Sequence, residues 1–128
     1  VGSEMCIRDS YQGSGGCFLV ASDPADDSGR IVGMVGGEKK EEGRYELRRM
    51  SVDSSIQNRG LGTLLIQQLE KECTNASSIF LTCSNVQYAA HTLYRKCCFT
   101  IKNEFVFPLL GSKAFRIYQF EKSMNRSS

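Results

Sequence analysis

The chain has 128 residues, a formal net charge of +2 and 41% hydrophobic residues, which is typical of one globular domain. Its small net charge gives no reason to expect nucleic-acid binding, and no apolar run approaches the roughly 18 residues that span a membrane. Its six cysteines form no C-x-x-C pair, and His91 is the only histidine. We therefore expect no metal site, reduced thiols and a cytoplasmic localisation.

Residues 1–10 show neither helical nor strand periodicity, and the flexible stretch Gly13-Ser14-Gly15-Gly16 follows. They resemble a translated adapter sequence, and the chain does not begin with Met. We predict that residues 1–14 are a disordered or artefactual leader, that residues 15–124 form one domain, and that the true N-terminus is missing.

Short apolar runs bounded by turn-forming residues predict strands at 17–21 and 31–35, which form a hairpin. A third strand is predicted at 45–52, although it carries charges at 46, 48 and 49. Glycines at both ends of 36–43 predict a turn there. Alternation along the third strand predicts two faces. One carries Tyr45, Leu47 and Arg49, and the other carries Glu46, Arg48, Met50 and Val52.

A helical period begins at Gly60, with leucines at 61, 64, 65 and 69 marking about three turns. A buried strand at 78–83, a second helix containing Ala90 to Cys97, and strands at 99–107 and 115–120 follow. Strands that alternate with helices favour parallel pairing in the middle of the sheet, with antiparallel pairs before and after it. The prediction is an α/β domain with a mixed sheet.

The junction at residues 50–65 carries the strongest functional signal. A strand end leads through a polar loop to Gly60 and Gly62, where the first helix begins. The first turn of a helix has free N–H donors and a positive dipole end, and glycine lets an anion approach the backbone. We therefore predict that a phosphate-bearing ligand binds the N–H groups of Gln57 to Thr63.

Two motifs, together with this order of elements, carry a family resemblance. Gln57-Asn58-Arg59-Gly60-Leu61-Gly62 fits a Q/R-x-x-G-x-G/A signature. Asn85, Ala90-His91-Thr92-Leu93-Tyr94 and Phe99 fit N…A-x-x-L-Y-x-x-x-G-F, with Cys98 where the family has glycine. Over about residues 17–122 the chain resembles the GCN5-related N-acetyltransferase (GNAT) superfamily, as an N-terminally truncated member.

The resemblance implies the acyl-CoA N-acyltransferase fold, in which a parallel strand pair splays apart at the CoA site and helices flank the sheet. It also implies that the family's first strand and first two helices are missing here, which would leave the strand at 17–21 as an unprotected edge. Cys98 would cost stability if that position requires a positive φ.

The resemblance also implies roles for individual residues. Tyr94 is the candidate general acid that protonates the departing thiolate, with a core aromatic as the alternative. Glu46 is the candidate general base, with an exposed ion pair to Arg48 as the alternative. The candidate cofactor-binding residues are Met50 and Val52 through their backbone, Gln57, Asn58, Arg59, Gly60, Leu61, Gly62, Thr63 and Asn85.

The remaining polar side chains have less specific interpretations. Asn85 is also explained by a turn. Arg59 could add charge at the phosphate site, although a solvated arginine is the commoner outcome. Arg48 or Arg49 could bind a substrate carboxylate through a bidentate contact. His91 is assigned to the surface.

The predicted function is transfer of acetyl from acetyl-CoA, as cosubstrate, to a primary amine by direct attack on the thioester. The alternative is a non-catalytic acyl-CoA-binding or sensing domain, inactive through truncation. The acceptor would be a small amine, an amino acid or a peptide, and residues 46–52 are similar to a strand of animal enzymes that acetylate amino acids and cysteine conjugates. A dinucleotide site is disfavoured because no third glycine follows at the required spacing. No oligomeric state is predicted.

Overall fold

The computed structural model describes residues 6–11, 16–56, 59–108 and 114–124, which form one sheet and two helices. The strands are β1 (Cys6–Tyr11), β2 (Gly16–Ser22), β3 (Ile31–Glu41), β4 (Arg44–Val52), β5 (Ser78–Ser84), β6 (Thr100–Pro108) and β7 (Ala114–Ser123). The helices are α1 (Leu61–Glu72) and α2 (Tyr88–Lys96), and one 3₁₀ turn covers Ser54–Ile56. The strand order β1-β2-β3-β4-β5-β7-β6 confirms the predicted mixed α/β sheet.

The pair β4–β5 is parallel, whereas the other neighbouring strands of the sheet are antiparallel. Pairing between β4 and β5 stops at Glu46 and Phe80, although β4 continues to Val52 and β5 to Ser84. The two strands therefore separate along their C-terminal halves, as the fold prediction required.

Helix α1 packs on β2, β3 and β4 through a leucine-rich face, and Leu61, Leu65 and Leu69 are almost fully buried. The predicted turn at 36–43 is wrong, because β3 continues to Glu41. A Cβ on Gly37 would lie 3.0 Å from the Leu69 side chain. Gly37 thus allows a close helix–sheet contact within a strand, and the chain turns later, at Gly43, where φ is +77°.

The start of the domain also differs from expectation. Residues 6–11, predicted to belong to a leader, form β1 and pair antiparallel with β2. A strand therefore occupies a position that was predicted to be empty, and β2 is not the exposed edge that was expected. No helix precedes β2 within the described residues 6–11 and 16–22.

A bulge in β4 breaks the predicted alternation. Gly36 pairs with Arg48 and Met34 pairs with Ser51, so Arg49 and Met50 together lie opposite the single residue between them on β3. Arg49 has a φ of +58°.

Beyond the bulge, Val52 pairs with Gly33, on the sheet face that carries α1. The prediction that Met50 and Val52 share a face with Glu46 and Arg48 is therefore wrong, because the extra residue inverts the alternation.

The turn after α2 agrees with the family pattern. Cys98, at the position where the second motif has glycine, has a φ of +72°, so the condition under which its side chain would cost stability is met. Phe99, which follows it, is buried in the core with Phe120. No helix in the described part of the chain is both long and apolar enough to cross a membrane.

Candidate active site

A first cavity of about 400 Å³ lies where β4 has left β5, between the end of β4, the start of α1 and one face of α2. Most of its lining residues are small or apolar, and the others are uncharged polar residues and one lysine. The lining residues are Met50, Ser51, Val52, Ile56, Gly60, Leu61, Gly62, Thr63, Gln87, Ala89, Ala90, Thr92, Leu93, Tyr94 and Lys96.

The start of α1 forms one wall of this cavity. Gly60 precedes the helix with a φ of +86°, and its carbonyl accepts a hydrogen bond from the Leu64 N–H at 3.1 Å. Because Gly60 has no side chain, it cannot cap the remaining first-turn donors. A Cβ there would meet no atom of the other described residues within 4 Å, which leaves space for a ligand beside this backbone.

The other residues of the first motif have different positions. A Cβ on Gly62 would lie 3.1 Å from a methyl carbon of Leu93, so this glycine sets the close approach of α1 to α2. Thr63 lines the first cavity, whereas Arg59 is exposed and does not line it. The predicted ligands Gln57 and Asn58 lie outside the described residues.

A second cavity of about 280 Å³ lies on the other side of the strand separation. Unlike the first, it is bordered by charged side chains of β4. Its lining residues are Glu46, Leu47, Arg48, Arg49, Met50, Leu81, Thr82, Gln87 and Tyr94. Met50, Gln87 and Tyr94 line both cavities, so the two spaces adjoin at these residues.

Tyr94 is a core aromatic residue that also lines both cavities, so its position agrees with either interpretation that the sequence left open. Its ring is 6% exposed and packs against Phe99 and Phe120, with centroids 6.0 and 5.9 Å apart. Burial, with a smaller contribution from the thiols of Cys83 and Cys97, raises the pKa of Tyr94 above its ordinary value. The phenol thus stays protonated at neutral pH beside both cavities.

Glu46 projects from β4 into the lining of the second cavity, and its side chain is 18% exposed. Its carboxylate lies 3.4 Å from the Lys40 ammonium. Arg48 instead pairs with Glu38 at 3.1 Å, so the predicted Glu46–Arg48 ion pair is wrong. The reason is that β3 places Lys40 and Glu38 alongside β4 on the same sheet face.

Met50 and Val52 border the first cavity from the bulged end of β4, where the cofactor assignment requires backbone to face the ligand. Asn85 has a different environment and lines neither cavity. Its side-chain oxygen accepts a hydrogen bond from the Arg116 N–H at 3.1 Å, and its own N–H donates to the Arg116 carbonyl at 2.9 Å. The amide thus fixes the end of β5 to β7.

His91 is half-buried, which makes its assignment to the surface wrong. Its Nε2 lies 2.8 Å from the Ser84 carbonyl oxygen, and its ring packs edge-on against Tyr118 and Phe120. Within the described chain, no group of three or more His, Cys, Asp or Glu side chains is arranged to hold a metal ion.

Sequence reasoning missed several lining residues. Ala89, Leu93 and Lys96 lie at i, i+4 and i+7 on α2, so one helix face borders the first cavity and helical spacing would have identified it. Gln87 had no such signal. Its side-chain oxygen accepts hydrogen bonds from the N–H and hydroxyl of Ser84, which places it at the junction of the two cavities.

A family model described as the acetyltransferase (GNAT) family matches residues 3–99. The chain belongs to this family. The match includes the glycine turn, the separated strand pair and Tyr94.

Two curated relatives have sequences above 30% identity. The chain is 35% identical over 89 residues to N-acetylaspartate synthetase of Danio rerio and 41% identical over 88 residues to that of Xenopus tropicalis. These alignments cover 67% and 66% of this chain. They span only 30% and 31% of the relatives, so the chain corresponds to less than a third of their length.

Solved structures agree on the fold at lower identity. Arabidopsis thaliana NAA60 in complex with a bisubstrate analogue is 16% identical with a TM-score of 0.78, over 96% of this chain and 99% of that one. A GNAT family acetyltransferase from Elizabethkingia anophelis with acetyl-CoA bound is 14% identical with a TM-score of 0.74. That match covers 94% of this chain and 99% of that one.

Proposed function

We propose that the chain transfers acetyl from acetyl-CoA to a primary amine by direct attack on the thioester. The observation that carries this proposal is the pair of cavities that adjoin at Tyr94, one bordered by a glycine-started helix and the other by a carboxylate. A transfer reaction needs two substrates to approach one point from different sides, and this arrangement provides such a point.

The first cavity is assigned to acetyl-CoA. The open backbone at Gly60 and the first turn of α1 suit the pyrophosphate, because free N–H donors and the helix dipole favour an anion. The bulged backbone near Met50 and Val52 suits the thioester. A backbone donor aimed at the developing oxyanion contributes about 3 kcal/mol in acyl-transfer sites.

The chemistry then uses two side chains. The amine nitrogen bonds to the thioester carbon, and the C–S bond breaks as the tetrahedral intermediate collapses. Glu46, directly or through a water molecule, accepts the proton that the amine loses. The Tyr94 hydroxyl donates a proton to the thiolate that leaves.

The acceptor enters through the second cavity in this proposal. Because the curated relatives are N-acetylaspartate synthetases, L-aspartate is the first acceptor to test. A volume of about 280 Å³ is near the lower end of small-molecule pockets, which favours a small amine over a long peptide in that space.

Two measurements test the proposal on the full chain. Calorimetric titration with acetyl-CoA should give saturable binding, and release of free CoA thiol should then depend on L-aspartate or another amine. Binding without thiol release across an amine panel would favour the non-catalytic acyl-CoA-binding alternative. A folded chain that does not bind acetyl-CoA would contradict both.

A further inference from the structure

The charged side chains of the second cavity do not all neutralise one another. The Lys40 ammonium lies 3.4 Å from Glu46 and 3.0 Å from Glu38. The second oxygen of Glu38 lies 3.1 Å from the Arg48 guanidinium. This chain of contacts contains two carboxylates and two cations, so its formal charges cancel. Arg49 also lines the cavity and has no ion-pair partner among the described residues.

The backbone of β4 places Arg49 there. Tyr45 and Leu47 are buried beneath α1, and strict alternation would turn the next odd residue, Arg49, toward the same apolar face. A guanidinium there would lose its hydration without a partner. The bulge and the φ of +58° instead leave Arg49 exposed beside the second cavity.

A positive φ at a residue other than glycine is strained, and such strain is concentrated at functional positions. Here the strained residue is also the cation that the local ion pairs leave uncompensated. The two observations are independent, since one concerns the backbone and the other the side-chain charges.

Building on the proposed function, we infer that Arg49 binds a carboxylate of the acceptor and makes the enzyme selective for small amino acids. A guanidinium holds a carboxylate through two parallel hydrogen bonds, which fixes orientation as well as charge. The acceptor amine would then be held near Glu46 and Tyr94, which line the same cavity. An acceptor with a neutral amide in place of that carboxylate would leave the guanidinium unpaired.

The test measures acceptor binding and acetyl transfer separately on the full 128-residue chain. Isotope-labelled protein saturated with CoA is titrated by NMR with L-aspartate and with its two monoamides, L-asparagine and L-isoasparagine. Each monoamide removes one carboxylate charge while keeping the shape nearly unchanged. Transfer is followed by thiol release from acetyl-CoA with the same three acceptors.

We expect L-aspartate to bind at least tenfold more tightly than at least one monoamide. In the Arg49→Gln variant that preference should disappear, and L-aspartate should bind as weakly as the disfavoured monoamide. Arg49→Lys should recover part of the affinity, because it keeps the charge but loses the bidentate geometry. Arg49→Gln binding L-aspartate within twofold of the wild type, or both monoamides binding as tightly as L-aspartate, would overturn the inference.

Arg95→Gln is the matched control, because Arg95 is exposed on α2 and lines neither cavity. The substitution removes the same charge as Arg49→Gln. It should bind all three acceptors as the wild type does, and a drop equal to that of Arg49→Gln would overturn the specific role of Arg49. Arg49-dependent binding of L-aspartate without thiol release would contradict the proposed transferase function and support the Arg49 assignment. Acetyl transfer at equal rates to L-aspartate and both monoamides would support the proposed transferase function and contradict the Arg49 assignment.

Discussion

The two cavities that adjoin at Tyr94 are built by different means. The first is bordered by glycines and mainly uncharged side chains at the end of β4, the start of α1 and along α2, with Lys96 as the charged residue in its lining. The second is bordered by three charged side chains of one strand, Glu46, Arg48 and Arg49. Recognition in the first thus depends on the conformation of the chain, whereas recognition in the second depends on which side chains β4 carries. Substitutions should therefore affect cofactor binding and acceptor use separately.

The largest expected effect is at Gly60. Gly60→Glu should weaken acetyl-CoA binding more than 100-fold, because its carboxylate would repel the pyrophosphate at the start of α1. A Cβ added at Gly60 would meet no atom of the other described residues within 4 Å, so the first carbon of the new side chain has space there. Calorimetric titration measures the effect, and circular dichroism checks that the variant is folded.

Gly60→Asn is the control for backbone strain at that position. Asparagine tolerates the left-handed region better than most residues and carries no charge, so this variant should bind acetyl-CoA much more tightly than Gly60→Glu. Equal losses in the two variants would mean that backbone conformation, and not charge, decides binding. If Gly60→Glu bound acetyl-CoA as tightly as the wild type, the assignment of the first cavity to the cofactor would be wrong.

The second effect concerns Tyr94, where the cavities adjoin. Tyr94→Phe should lower kcat about 100-fold while leaving the Kd of acetyl-CoA unchanged, because it removes a proton donor and keeps the ring. The raised pKa of Tyr94 keeps the phenol protonated, so the wild-type rate should show no loss from its ionisation between pH 7 and about 9. Steady-state rates and calorimetry across that range measure both quantities.

If Tyr94→Phe lowers cofactor affinity and kcat in parallel, the ring belongs to packing and the acid role is contradicted. Ala90→Ser, on the same helix and lining only the first cavity, is the matched comparison. It should change the Kd of acetyl-CoA more than the chemical step.

The contrast between the cavities also explains what could be predicted from the sequence. The glycine turn and α1 follow local rules of helix initiation and helical spacing, so the sequence pattern identified them. Tyr94 was identified by the family resemblance of the second motif, because helical spacing alone would have made it a core aromatic. The bulge does not follow such a rule. Nothing in residues 44–52 marks an extra residue, and the register shift depends on how β3 pairs with β4.

Glycine gave an ambiguous signal for the same reason. Gly36 was predicted to begin a turn, yet Gly36 and Gly37 both lie within β3, where the side chains of Phe18 and Leu69 lie close to them. Likewise, the partner of Glu46 is Lys40, which lies across the sheet on a different strand. Tertiary contacts decide both features, and they lie beyond any local pattern.

The third effect is confined to the second cavity. Glu46→Gln should lower kcat/KM for the acceptor roughly tenfold near pH 7 and leave acetyl-CoA binding unchanged, since it removes a proton acceptor and keeps the shape. The deficit should shrink as pH rises, because more of the amine is then already unprotonated. Rates across a pH series measure this recovery. A deficit that is constant with pH would indicate that Glu46 positions Lys40 instead of accepting a proton.

The smallest expected effect is on stability. It concerns the two residues other than glycine that have a positive φ in the described chain, Arg49 and Cys98. Cys98 lines neither cavity, so Cys98→Gly should relieve strain and raise the free energy of unfolding by about 1 kcal/mol with unchanged kinetics. Arg49→Gly should give a similar gain in stability but lose acceptor binding. Urea unfolding and acceptor KM separate the two outcomes. If Arg49→Gly kept the wild-type acceptor KM, the guanidinium would not be needed for acceptor binding. The strained backbone of the bulge would then have a structural role only.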